Sequence, residues 1–108
     1  MADGGAPVEG LPALSEDERR LVEAHPLPDG VPDAIVSKYQ LADALAVSET
    51  TLDKWRRAGL PAESEGTNGR AYEFRLSIAY AWVQARRARE AAERLHAEDA
   101  AQQLRLSL

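Results

Sequence analysis

The chain has 108 residues, of which 44% are apolar; that is room for one modest core and not two. It contains no cysteine, which excludes a disulfide, a thiolate zinc site and a catalytic thiol and makes a reducing cytosol its natural setting. The net charge is −5. There is no basic segment followed by an apolar run, as in a signal peptide, and no stretch near the roughly 18 apolar residues of a spanning helix, so a soluble chain without a membrane partner is expected.

The acidity is unevenly spread. Residues 1–36 hold eight acids against Arg19 and Arg20, a balance of −6. Residues 37–75 hold six acids against six bases, and residues 76–108 hold five arginines against four acids. The charge therefore belongs to the leader, and the remainder is near neutral. A near-neutral domain binds a polyanion only if its cations share one face, and then weakly and with strong salt dependence.

Residues 1–14 are rich in Gly, Pro and Ala and are expected to be loosely attached. Ser15 followed by Glu18 is a capping-box pattern that opens a short helix over about 15–24. The run HPLPDGVPDA, with three prolines and a glycine, reads as a linker, so residues 1–36 form an acidic leader and the compact domain begins near Ile35. From Ser37, a cap by its residue type, Tyr39, Leu41, Ala42 and Leu45 recur at helical spacing. A second helix follows after two or three residues. Ser48 caps it, Glu49 suits its positive end, and Arg56 and Arg57 suit its negative end. Gly59 ends it as a left-handed residue and Pro61 stops any continuation.

Residues 62–74 change in kind. The turn centre at Gly66–Gly69, with Asn68-Gly69 as a hairpin signal, and the alternation Ala71, Tyr72, Glu73, Phe74 describe a short hairpin. Residues 76–106 read as one long helix without proline or glycine. Ala81, Ala85, Ala88, Ala92 and Leu95 alternate spacings of four and three, a narrow seam suited to helix–helix contact and homo-oligomer formation; it falters at Asp99. The expected fold is mainly α: a winged helix-turn-helix over 37–84 with a short β-hairpin wing and a long C-terminal helix.

Placed on a wheel at about 100° per residue, Leu52 and Trp55 fall on the buried side of the second helix. Thr50, Asp53, Lys54 and Arg57 fall opposite, a polar face of the kind that enters a major groove of double-stranded DNA. Arg56 lies nearer the buried side, with a phosphate or structural role. Asp53 is awkward there: it is suited to accept from a cytosine amino group but is repelled by phosphates, which leaves it the alternative of orienting Lys54 or Arg57. Each of these residues has an ordinary reading as solvated surface, and Lys and Arg near a helix C-terminus follow from the dipole alone. Trp55, and Trp82 together with Ile78, are core residues before they are stacking platforms. Arg70 at the hairpin tip is placed to reach a minor groove, with Arg75 at the base. Chemistry is sparse: His25 and His96 lack paired ligand spacing, no Gly-rich phosphate loop occurs, and Glu63, Glu65 and Glu73 have no histidine or second acidic cluster beside them. No catalytic site, metal site or cofactor is expected.

The run SKYQLADALAVSETTLDKWRRAGLP, a glycine-rich hairpin, and then YEFRLSIAYAWVQ resembles the N-terminal DNA-binding domain of lambda-type phage terminase small subunits, the DNA-packaging proteins. The likeness covers about residues 37–84, and phage excisionases and MerR-type regulators share its QLA…S..T…W…G.P core. It implies a winged helix-turn-helix that recognises packaging-site DNA as a dimer. It further implies a terminase large subunit as partner, supplying ATPase and nuclease, and the cytoplasm of a bacterial host as location. Carried over, Thr50, Thr51, Lys54 and Arg57 fall on the recognition helix, Arg70 on the wing, and the long helix becomes the dimerisation element. An excisionase or MerR-type regulator, and a protein-interaction module without DNA affinity, remain the alternatives.

Overall fold

The computed structural model describes residues 10–64 and 72–107. The described residues are mainly helical, with a small two-stranded antiparallel sheet and a long C-terminal helix. In chain order they form α1 (Glu16–Ala24), β1 (Ile35–Ser37), α2 (Lys38–Leu45), α3 (Glu49–Arg57), β2 (Glu73–Arg75) and α4 (Leu76–Ser107).

Each short helix begins where a serine can cap it. Ser15 accepts from the Glu18 amide while Glu18 accepts from the Ser15 amide, and Ser37 and Gln40 repeat that reciprocal pair at α2. Ser48 accepts from the Thr51 amide at α3. These bonds satisfy amides that no helical carbonyl reaches. Two helices end on a positive φ. Gly59 follows α3 at φ 117°, as its residue type predicts, whereas α2 ends on Ala46 at φ 56°, a left-handed conformation that an alanine Cβ disfavours.

The core is built from Leu41 and Ala42 of α2, Leu52 of α3, Leu60 after α3, Phe74 of β2, and Leu76 and Ala79 of α4. Leu45, Trp55 and Trp82 pack at its margin, half-buried. The two indoles meet edge to face with centroids 6.4 Å apart, which fastens α3 to α4. Tyr39 departs from the expected apolar stripe and is exposed. Two residues before Leu41 it is about 200° away around the helix, so it points away from the core that Leu41 reaches.

The sheet joins the starts of two helices. β1 runs straight into α2 and β2 straight into α4, paired with Ile35 opposite Arg75, Val36 opposite Phe74 and Ser37 opposite Glu73. On its other side Glu73 bridges Ser64, with the Glu73 amide donating to the Ser64 carbonyl at 3.1 Å and the Glu63 amide to the Glu73 carbonyl at 2.8 Å. The two legs of the expected hairpin therefore meet at Ser64 and Glu73. Its tip, with Asn68, Gly69 and Arg70, and the position Ala71, lie outside the described residues.

The stretch read as a linker instead holds a tie to two buried residues, Arg75 and Ser77. Asp33 accepts at Oδ2 from Arg75 Nε (2.7 Å) and Ser77 Oγ (2.6 Å), and at Oδ1 from the amides of Ser77 and Ala34 (both 2.9 Å). Leu76 donates its amide to the Ala34 carbonyl. Asp33 thus caps α4 from more than forty positions away in sequence, stabilised further by the helix's positive end. Arg75 is buried and also donates to the Pro12 carbonyl. Burial alone would push the Asp33 carboxyl up. The hydrogen bonds from Ser77 and Arg75, with the Arg75 charge, outweigh it and hold the group below its usual range. With α1 packed on α4, residues 10–36 are part of the folded body and not a detached leader. Arg75 is correspondingly a structural residue beneath the hairpin.

Candidate nucleic-acid interface

α2 and α3 are joined by three residues, Ala46–Ser48, and pack on each other with α3 presenting one side outward. The structure divides the polar side of α3 by charge. Asp53 does not turn toward Lys54 or Arg57, as the sequence suggested; it accepts from Lys38 Nζ of α2 at 3.0 Å. Glu49, one turn earlier, stands 3.9 Å from the same ammonium. Lys38 is half-buried between the helices, so the two carboxylates of α3 are drawn to the α2 side, where the Lys38 ammonium offsets one of their two charges. This cation lies fifteen positions from its partner, and no local pattern marks it.

Thr50, Lys54 and Arg57 remain on the exposed side of α3. Neither Lys54 nor Arg57 forms an ion pair among the described residues, so their charges face solvent unopposed. Thr51 is placed differently. It is half-buried, and its hydroxyl lies 3.0 Å from Ser48 Oγ, which ties it into the N-cap. Of the two roles sequence allowed Arg56, the geometry takes the structural one. Its Nη1 donates to the Leu60 carbonyl just past α3, and its guanidinium stands 5.1 Å from the Tyr72 ring centroid. It clamps the exit of α3 against Tyr72, the residue just before β2.

Two cations from α4 reach the same region. Arg87 stands 5.9 Å from the ring centroid of Trp55, and Arg86 stands 5.6 Å from that of Trp82 while pairing with Glu90 at 3.3 Å. In sequence they sit in an arginine- and alanine-rich run where nothing distinguishes one arginine from the next.

The seam on α4 is redrawn at its start. Ala81 is fully buried within the single chain, with no surface left for a second copy, because the body of the protein already surrounds the first turns of α4. Ala85 is half-buried, and Ala88, Ala92 and Leu95 are exposed. Any pairing surface therefore starts near Ala85. Among the described residues no group of His, Asp or Glu side chains is gathered to hold a metal ion, and no helix is long and apolar enough to cross a membrane. Comparison of the chain with models of known protein families and with curated proteins gives no match.

Proposed function

We propose that this protein is a winged helix-turn-helix DNA-binding protein, with α2 and α3 as the helix pair and α3 as the element that enters the major groove. The observation that carries the reading is the charge division of α3. Its acids are held by Lys38 on one side, and Thr50, Lys54 and Arg57 are exposed and unpaired on the other. A near-neutral domain that presents exposed, unpaired cations together on one side of a helix has the arrangement that phosphate attraction requires. Lysine and arginine there suit guanine edges or phosphates, and Thr50 a phosphate or a thymine methyl. Thr51 acts through the cap of α3. β2 and its bridge to Ser64, both following α3, are the proposed base of a wing, with Arg70 proposed for its minor-groove contact.

The more particular reading rests on the resemblance of residues 37–84: a terminase small subunit that binds packaging-site DNA as a homo-oligomer and recruits a large ATPase and nuclease subunit. The exposed part of the seam, Ala88 to Leu95, is the proposed pairing surface. Titration against labelled duplex DNA tests the general claim. Binding is expected at about 50 mM salt and should weaken steeply by about 200 mM; no binding at the lower salt would refute it. Co-purification with a large terminase subunit tests the particular claim.

A further inference from the structure

The interface proposed above does not end at α3. We infer that Arg87 of α4 is a backbone clamp, a fixed cation that grips a DNA phosphate at the rim of the groove occupied by α3. This rests on the DNA-binding reading of α3 and adds to it a contact from a different helix.

Around α3, at about 100° per residue, Trp55, Thr51, Lys54, Thr50 and Arg57 follow one another from the buried side to the outward side. Arg87 is seated on Trp55, the first of these, and is itself exposed. It therefore extends the cationic side of α3 along the edge opposite the one where Lys38 gathers Glu49 and Asp53. Resting on the ring face, the guanidinium is held in place while its donors stay open to solvent. It forms no ion pair among the described residues. Its neighbour Arg86 is the internal contrast, since it lies over Trp82 but has its charge matched by Glu90 at 3.3 Å.

Geometry selects the phosphate as ligand. A helix with its side chains is about 10–12 Å across and the major groove about 12 Å wide, so α3 fills the groove. A cation on a helix packed beside α3 then meets the sugar–phosphate wall, not the base edges. A contact of that kind strengthens binding to every sequence alike and adds one released counterion to the salt dependence.

The test compares the full chain with Arg87→Gln, Arg87→Lys and Arg86→Gln, each titrated against two unrelated duplexes over a salt series, with thermal melting in parallel. Arg87→Gln is expected to weaken binding several-fold on both duplexes and to reduce the slope of log K against log salt by about 0.9. Arg87→Lys, which keeps the charge, should retain the slope, and Arg86→Gln should leave it unchanged. An unchanged slope in Arg87→Gln, while loss of Lys54 and Arg57 still lowers it, would overturn the clamp and leave the α3 interface standing. Equal slope losses in Arg87→Gln and Arg86→Gln would also overturn it, since the seat on Trp55 would then confer nothing. If the unaltered chain binds neither duplex, the reading of α3 itself fails and the clamp with it.

Discussion

Replacing Asp33 should be the most damaging single change to a residue outside the apolar core. In Asp33→Ala, Arg75 loses its carboxylate while remaining buried, Ser77 loses partners for both its amide and its hydroxyl, and Ala34 loses one more. The Arg75 side chain keeps only its bond to the Pro12 carbonyl among the described residues. Removing one member of a fully buried ion pair costs about 3–5 kcal/mol, and this pair, with the Asp33 side chain 20% exposed, belongs at the low end of that range. For comparison, the exposed Arg20–Glu16 pair one turn apart on α1 is worth about 0.3–0.5 kcal/mol. At the lower figure of about 3 kcal/mol, and with about 4–8 °C lost per kcal/mol in a domain of this size, the melting temperature should fall by about 12–24 °C. Asp33→Asn keeps one acceptor and should lose less.

The pH dependence follows from the depressed carboxyl. Its folded value lies below the unfolded one, so the stabilisation is fully present above about pH 3.9. It fades as the pH falls through the folded value, where both states are protonated. Urea unfolding of the unaltered chain and Asp33→Asn, from neutral pH down to about pH 2.5, should show a gap that is wide at neutrality and narrows in acid. A loss below about 1 kcal/mol for Asp33→Ala at neutral pH, or a gap that stays constant into acid, would refute the tie.

Two further outcomes follow from particular residues. Ala46→Gly should stabilise the protein by about 1 kcal/mol, because Ala46 closes α2 at φ 56°, a conformation glycine adopts without the Cβ clash; a lower melting temperature would contradict it. Ala88→Glu should shift the mass in solution toward monomer at unchanged helix content, because Ala88 is the first exposed residue of the redrawn seam; an unaltered mass distribution would remove α4 as the pairing element.

What the sequence made legible was local. Serine caps, the Ser15–Glu18 box, Gly59 after α3 and the uninterrupted α4 all depend on residues within about four positions of each other, and each is present. β1 escaped because three residues cannot display a period of two, and Ile35–Ser37 follows a proline-rich run. Asp33 escaped because its partners, Arg75 and Ser77, lie 42 and 44 positions away. Proline and glycine spacing made its neighbourhood look like a linker when it caps α4. On α3 the exposed and buried sides followed from the wheel, but the fate of Asp53 depended on Lys38, and Arg87 acquired its distinction from Trp55 on another helix. The seam pattern on α4 carried no mark that α1 packs against that same helix.

The central claim is that α3 meets DNA through cations on its exposed side, and the double variant Lys54→Ala with Arg57→Ala tests it most directly. Both side chains are exposed and make no ion pair among the described residues, so melting temperature and oligomeric mass should be unchanged. Duplex affinity at about 50 mM salt should fall at least tenfold, and the salt slope should drop by about 1.8, the loss expected for two phosphate contacts. A folded double variant with the affinity and slope of the unaltered chain would contradict the account and place the interface elsewhere.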